Sequence, residues 1–152
     1  MEGAIVLYPS PAIGHLISMI ELGKLILTHK PSLSIHILIT TPPYSGGSTA
    51  SDIATVSSTF PSITFHNLPT ITPPPTIAAS TPNHETLTFE VIRLNNPNVH
   101  QSLLSISESY SIQAFIFDFF CTQSLLVTSQ LNIPAYYFST SGATSFASVL
   151  DL

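Results

Sequence analysis

The sequence predicts an α/β protein built on a doubly wound parallel sheet. Apolar runs of a strand's length alternate with segments of helical periodicity along the 152 residues, and this alternation is typical of successive β-α-β units. Clusters of proline, serine and glycine lie between several of these segments and indicate connections. For a doubly wound sheet of this kind we expect the strand order 3-2-1-4-5.

The first β-α unit occupies about 30 residues. The apolar run Ala4–Tyr8 predicts strand one, and the turn Pro9–Pro11 ends it because proline cannot donate to a sheet ladder. Helix one is predicted from about Gly14 to His29, where leucine and isoleucine recur on one face. Glu21 and Lys24 are spaced for an ion pair on this helix.

Two further strands are predicted before residue 70. Strand two covers Ser34–Thr41 and is stopped by Pro42 and Pro43. Strand three is short, over Ser62–His66. Between them, Tyr44–Thr59 is rich in serine, threonine and glycine but carries a few apolar residues, which favours a short helix.

The second half of the chain begins with a connection rich in proline. Asn67–Asn83 is predicted to be a long exposed loop of extended character. Such loops are often binding loops, although a surface excursion is the default interpretation. The remaining predicted elements are a helix over His84–Ser109 with a kink or break at Asn96–Pro97, strand four over Ala114–Phe120, a helix over Thr122–Leu131, strand five over Ile133–Phe138, and a helix that begins at Ser141 and reaches Leu152.

The high apolar content does not come from a membrane span. Hydrophobic residues make up 44% of the chain and charged residues 7%, yet Ile35–Ile39 and Ala114–Phe120 are far shorter than the roughly 20 residues that cross a bilayer. Glu2 stands where a secretory signal would carry positive charge, and Pro9 cuts the first apolar run. We therefore expect a cytoplasmic protein without stable membrane insertion.

Charge and ligand spacing argue against two further classes. The formal net charge is −5 with three lysines and arginines, whereas nucleic-acid binding needs a basic stripe that neutralises phosphates. The single cysteine, Cys121, cannot form an intrachain disulfide, and no cysteine and histidine cluster has zinc-site spacing. We expect neither a nucleic-acid partner nor a metal ion. Five of the six histidines are expected to be surface or half-buried residues: His29, His36, His66, His84 and His100.

His15 and Asp118 are the two outliers in this pattern. His15 follows strand one, and Asp118 interrupts the otherwise apolar strand four. In the order 3-2-1-4-5 these strands are neighbours at the switch point, so both side chains face one crevice. A carboxylate that holds an imidazole in one tautomer makes a general base. The alternatives are a histidine that lines the first helical turn, an aspartate that caps the helix at Thr122, or a buried pair without catalytic function.

Two reaction classes fit this dyad poorly. A serine hydrolase needs an activated serine, but Ser139 and Ser141 lie after strand five without a Gly-x-Ser-x-Gly elbow. A dinucleotide oxidoreductase needs the motif Gly-x-Gly-x-x-Gly after strand one, but the segment Pro9–His15 contains a single glycine, Gly14. A base without a protein nucleophile suggests that the substrate supplies the nucleophile, for example a hydroxyl group.

The chain also resembles the plant UDP-dependent glycosyltransferases of family 1. The resemblance covers essentially the whole sequence and is strongest for the subgroup that acts on flavonoids, chalcones and related phenolics. It implies a Rossmann-like domain, the N-terminal half of a GT-B fold. The matching motifs are Ile5–Leu16, Met19–Lys24, Phe60–Pro69, Asp118–Cys121 and Tyr137–Gly142.

This resemblance implies a role for each matching residue. His15 corresponds to the catalytic base, which deprotonates an acceptor hydroxyl so that the oxygen attacks a UDP-sugar with inversion. Asp118 corresponds to its partner, which stabilises the imidazolium. Gly14 and Thr140 correspond to positions that contact the donor sugar, whereas Ile13 and Phe120 correspond to positions that line the acceptor pocket.

The resemblance further implies that residues 1–152 form an incomplete N-terminal acceptor-binding domain, without the UDP-sugar-binding domain. That second domain carries a signature with tryptophan, and this chain has none. We expect the chain alone not to transfer sugar at a useful rate. The alternative is a non-catalytic acceptor-binding or interaction module, which associates through the uncovered interdomain face. The expected partners are a phenolic acceptor and a UDP-sugar co-substrate, with no cofactor and no metal.

Overall fold

The computed structural model describes residues 1–11, 13–40, 50–70 and 90–138. Three predicted features therefore lie partly outside the described residues: the first residues of the Tyr44–Thr59 segment, most of the Asn67–Asn83 loop, and the first residues of the helix at His84. The helix predicted to begin at Ser141 lies wholly outside them. Within the described ranges, strands and helices alternate along the chain.

Five parallel strands form one sheet in the order β3-β2-β1-β4-β5. This arrangement confirms the predicted α/β class and the strand order 3-2-1-4-5. Because β1 has neighbours on both sides, the chain winds outward from it in two directions, first to β3 and later to β5. The strands are β1 (Glu2–Tyr8), β2 (Ser34–Ile39), β3 (Ile63–Asn67), β4 (Tyr110–Phe117) and β5 (Ala135–Tyr137).

The described helices lie near their predicted positions, and Lys24 Nζ pairs with Glu21 Oε1 at 3.0 Å as expected. Residues 90–94 are helical and a turn at Asn95 separates them from the next helix, so the break comes one residue before the predicted Asn96. No helix in the described residues is long and apolar enough to cross a membrane. The bounds are α1 (Ile13–His29), α2 (Ala50–Thr59), α3 (Asn96–Ser107), a 3-10 segment (Phe119–Ser124) and α4 (Leu125–Gln130).

Strand β4 differs from its prediction at both ends. The apolar run predicted Ala114–Phe120, but the strand occupies Tyr110–Phe117. Its first residues are alternately exposed, and they join the sheet because they pair with Glu2–Ala4 of β1. After Phe117 the chain leaves the sheet and forms the 3-10 segment, which also replaces the first turn of the helix predicted from Thr122.

Each face of the sheet carries its own apolar core. Side chains alternate along β1, so that Val6 and Tyr8 pack toward α3 and α4, whereas Ile5 and Leu7 pack toward α1 and α2. Gly23 lets α1 approach closely, because a Cβ there would lie 3.3 Å from Ile35 Cγ2. The resulting three layers bury the sheet and leave its carboxyl edge as the place where side chains can meet a ligand.

Candidate active site

The carboxyl ends of β1 and β4 lie side by side at the centre of the sheet. Tyr8 and Phe117, the last residues of these strands, are register partners. The residues that follow them therefore leave the sheet at the same level, Asp118 from β4 and Ser10 from β1. This is the switch point of the sheet, where the winding direction reverses.

His15 and Asp118 lie next to each other at this edge. His15 is in the first turn of α1, and its Nδ1 lies 3.1 Å from Oδ2 of Asp118. Asp118 is buried with 2% of its surface exposed, whereas 29% of the His15 side chain is exposed. The structure thus brings together the two residues that the strand order predicted to be neighbours. Their catalytic roles stay predictions.

Ser10 is the residue of this site that sequence reasoning missed. Its backbone N–H donates to Asp118 Oδ2 at 2.8 Å, and its hydroxyl donates to Asp118 Oδ1. The signal was present in the sequence, since a carboxylate in an apolar strand needs donors and Ser10 stands beside it once strands one and four are neighbours. The carboxylate oxygens are therefore engaged by Ser10 and His15.

Cys121 lies under the same carboxylate. It is fully buried, and its Sγ is 3.9 Å from Ser10 Oγ. Burial, and then the charge of nearby Asp118, raise the pKa of the Cys121 thiol well above its ordinary value. A neutral buried thiol is a poor nucleophile, and Cys121 packs within the apolar core.

A second group of buried polar side chains lies beside the dyad. Tyr8, Thr40 and Asn95 come from the ends of β1 and β2 and from the turn before α3, and the Tyr8 hydroxyl faces the other two side chains. Among the described residues, the Tyr8 hydroxyl, Thr40 Oγ1 and Asn95 Nδ2 have no well-formed hydrogen bond. Burial raises the pKa of Tyr8 above its ordinary value, so the phenol is neutral.

His36 and His66 form a pair away from this edge. Nδ1 of His36 lies 2.8 Å from Nε2 of His66, and Ser34 Oγ lies 3.0 Å from His36 Nε2. The expectation that His36 is a surface or half-buried residue is wrong, because β2 is an interior strand and only 3% of His36 is exposed. Burial, and then the charge of His66, lower the pKa of His36 to about 4.

The other predicted site residues are only partly described. Gly14 is exposed at the start of α1, and a Cβ placed on it would meet no tertiary neighbour within 4 Å in the part of the chain that the structure describes. Ile13 and Phe120 lie on the described backbone, in α1 and in the 3-10 segment, but their side chains are outside the description. Thr140 lies wholly outside the described residues. In the described ranges, no three histidine, cysteine, aspartate or glutamate side chains are grouped to hold a metal ion.

The geometry suits proton abstraction. With Nδ1 beside Asp118, the opposite ring nitrogen, Nε2, is the one placed to accept a proton from a bound hydroxyl. The buried carboxylate stabilises the imidazolium that forms, because attraction between opposite charges is stronger where water is excluded. A partly exposed imidazole over a buried carboxylate is thus arranged as a general base.

Comparisons with known proteins agree on one group. No protein-family model matches the chain. It is 49% identical over 148 residues to UDP-glycosyltransferase 88B1 of Stevia rebaudiana, covering 97% of this chain and 32% of the relative. It is 45% identical over 163 residues to the anthocyanidin 5,3-O-glucosyltransferase of a Rosa hybrid cultivar, covering 98% of this chain and 33% of the relative.

A solved structure shares the fold. Medicago truncatula UGT71G1, crystallised with UDP-glucose, superposes with a TM-score of 0.78 and 27% sequence identity over 90% of this chain and 29% of its own. The present chain therefore spans about a third of the length of the curated relatives that it matches. The arrangement of strands belongs to a domain that these larger proteins also contain.

Proposed function

Because this chain is homologous to part of the plant UDP-glycosyltransferases, we propose that it forms the acceptor-binding half of such an enzyme. In this proposal residues 1–152 belong to the N-terminal domain, and a second domain binds the nucleotide of the UDP-sugar. The one observation that carries the proposal is the contact between His15 and Asp118 at the switch point, at 3.1 Å. Both residues also stand out in the sequence, His15 as a titratable group after strand one and Asp118 as a carboxylate in an apolar run.

The proposed reaction begins with proton transfer to His15. Nε2 takes the proton from an acceptor hydroxyl while the oxygen attacks the anomeric carbon of the UDP-sugar. The bond from that carbon to the UDP oxygen breaks on the opposite face, so the configuration inverts and UDP leaves with the electron pair. Proton loss concerted with attack avoids a free phenolate, whose parent acid has a pKa near 10.

Asp118 stabilises the positive charge that develops on His15. The carboxylate is buried and its Oδ2 lies 3.1 Å from Nδ1, and a carboxylate beside Nδ1 favours the tautomer in which Nε2 is free to accept a proton. A water-exposed carboxylate would contribute less, because solvent weakens the attraction. The proposed reaction uses no cofactor and no metal ion. We therefore expect sugar transfer to continue in the presence of a chelator.

The proposed acceptor is a phenolic or flavonoid molecule, and the proposed sugar is glucose. Support comes from the relatives, one of which is named as an anthocyanidin glucosyltransferase, and from UGT71G1, which was crystallised with UDP-glucose. Flat aromatic acceptors suit a site with apolar walls and few polar groups. Phe120 and Ile13 are the proposed wall residues, and Gly14 and Thr140 the proposed contacts to the sugar.

A chimera tests the proposal. This chain replaces the corresponding region of the Stevia rebaudiana relative, to which it is 49% identical, and the chimera is incubated with UDP-glucose and a panel of flavonols and anthocyanidins. We expect glucoside formation by the chimera and none by the isolated chain. A folded chimera that binds UDP-glucose without transferring sugar to any acceptor would contradict the proposal, and acceptor binding by the isolated chain would then favour a non-catalytic binding module.

A further inference from the structure

We propose that Ser10 is the positioning residue of the dyad, which sets the orientation of Asp118 and through it the tautomer of His15. This inference rests on the proposed function only for its catalytic meaning. The contacts of Ser10 with Asp118, and of Asp118 with His15, are observed within the described residues. Neither the resemblance nor the comparisons assign a role to Ser10.

Ser10 engages the whole carboxyl group. The backbone N–H bonds Oδ2 at 2.8 Å and the hydroxyl bonds Oδ1, so one residue restrains both oxygens. A carboxylate held at one oxygen still rotates about its Cβ–Cγ bond, whereas contacts at both oxygens fix its plane. Ser10 is itself buried, with 3% of its surface exposed, so water competes little for its donors.

The sequence around Ser10 explains why both donors come from this residue. Pro9 and Pro11 flank it, and proline has no backbone N–H. Across residues 9–11, the Ser10 amide is therefore the sole main-chain donor. The prolines also restrict the backbone on both sides, which lowers the entropy lost when Ser10 is held against Asp118.

Fixing the carboxyl plane matters because Oδ2 is shared. It accepts from the Ser10 amide and also lies 3.1 Å from His15 Nδ1. If the carboxyl group turned, Oδ2 would move away from Nδ1, the nitrogen whose proton a neighbouring carboxylate favours, and a larger fraction of the ring would carry the proton on Nε2. That tautomer cannot accept a proton from a substrate hydroxyl.

The test measures the tautomer of His15 in the full chain. Histidine labelled with ¹⁵N is incorporated, and two-bond ¹H–¹⁵N correlation spectra are recorded at about pH 8.5, where an ordinary imidazole is neutral. The His15→Ala spectrum identifies the His15 signals. In the parent chain we expect the proton predominantly on Nδ1. In Ser10→Ala we expect the Nε2–H fraction to rise about threefold to fivefold, as for loss of one ordinary hydrogen bond.

Ser124→Ala is the matched control. Ser124 is also fully buried, and its hydroxyl donates to the main-chain oxygen of Cys121 at 2.5 Å rather than to Asp118. We expect the His15 tautomer in this variant to equal that of the parent, and Ser10→Thr to restore it by returning a hydroxyl. An unchanged tautomer in Ser10→Ala, or an equal change in Ser124→Ala, would overturn the proposal.

Two readouts keep the outcomes separate. If Ser10→Ala does not fold, amide hydrogen exchange of the parent chain tests the proposal instead. A protected Ser10 amide, together with a His15 ring protonated on Nδ1, supports the proposal. A freely exchanging Ser10 amide overturns it. Sugar transfer by the chimera is measured separately. A changed tautomer with an inactive chimera refutes the proposed function alone, whereas an active chimera with an unchanged tautomer refutes the role of Ser10 alone.

Discussion

Tyr8 and Phe117 are register partners at the carboxyl ends of the two central strands. This pairing sets the level at which the chain leaves the sheet on each side, so the segment after Tyr8 and the residue after Phe117 meet. His15 and Asp118 are 103 positions apart in sequence, and the sheet brings their side chains to 3.1 Å. The dyad is therefore a consequence of strand order and register.

Replacing Asp118 by asparagine tests the partner of the base. The amide keeps the shape of the side chain, but its NH₂ group directs a donor toward Ser10 or toward His15. We expect glucoside formation by the chimera to fall by about 10²–10⁴, the range that general acid–base catalysis contributes. Initial rates with a flavonol acceptor measure this, and Glu21→Gln, an exposed carboxylate on α1, is the control. A loss in Glu21→Gln as large as in Asp118→Asn would show that the effect is not specific to the dyad.

The histidine pair predicts a dependence of stability on pH. Burial lowers the pKa of His36 to about 4 and also lowers that of His66, whereas an unfolded imidazole has a pKa of about 6.5. Between these values the unfolded chain binds more protons, so the free energy of unfolding falls as pH decreases from 6.5 to 4. The expected loss is up to about 3 kcal/mol.

Urea unfolding at a series of pH values measures this dependence. His36→Gln removes one titrating ring from the pair, and we expect its stability to change less between pH 6.5 and 4 than that of the parent. His100→Gln on α3, a histidine outside the pair, is the control. A pH profile of His36→Gln identical to that of the parent would contradict the assignment of acid sensitivity to this pair.

Gly14→Ala separates a ligand contact from a packing requirement. Within the described residues, a Cβ at Gly14 meets no side chain or tertiary neighbour within 4 Å, and alanine in a helix is more favourable than glycine by about 1 kcal/mol. We expect unchanged or increased thermal stability together with a higher KM for UDP-glucose in the chimera. In contrast, Gly23→Ala places a Cβ 3.3 Å from Ile35 and 3.4 Å from Leu7, so crowding offsets the helical gain and this variant should be less stable than Gly14→Ala. An unchanged KM in Gly14→Ala would remove Gly14 from the proposed sugar contacts.

Cys121 should be chemically silent in the folded protein. Because the thiol is fully buried and its pKa is raised, we expect no reaction with a thiol reagent until the chain unfolds. Cys121→Ala should lower the free energy of unfolding by about 1 kcal/mol, as the loss of a small buried side chain does, and should leave a folded chimera active. Rapid labelling of the native chain would contradict this, and so would loss of transfer in a folded Cys121→Ala chimera.

The sequence predicted the sheet well and its boundaries less well. The alternation of apolar and helical segments predicted the doubly wound sheet, because it reflects burial on both faces. The strand order 3-2-1-4-5 was the order expected for that class, and the sheet confirms it. The start of β4 was missed because Tyr110–Gln113 are alternately exposed and join the sheet through backbone pairing with β1. Apolar content cannot reveal pairing of this kind.

Two residues of the candidate site could be predicted from the sequence, and the third could not. His15 and Asp118 stood out because a titratable group at a strand end and a carboxylate in an apolar run are each unusual. Ser10 did not, since serine between prolines is common in turns and becomes informative only beside Asp118. The partnership of His36 with His66 likewise required the register of β2 and β3.

The most direct test of the account compares His15→Ala with His29→Ala in the chimera. Both residues are histidines of α1. His15 lies in the first turn, at the switch point, whereas His29 is the exposed last residue of the helix. We predict that His15→Ala lowers the initial rate of glucoside formation by about 10²–10⁴ with the fold retained, and that His29→Ala leaves it unchanged. A folded His15→Ala chimera that forms glucoside at the parental rate would contradict the assignment of His15 as the base.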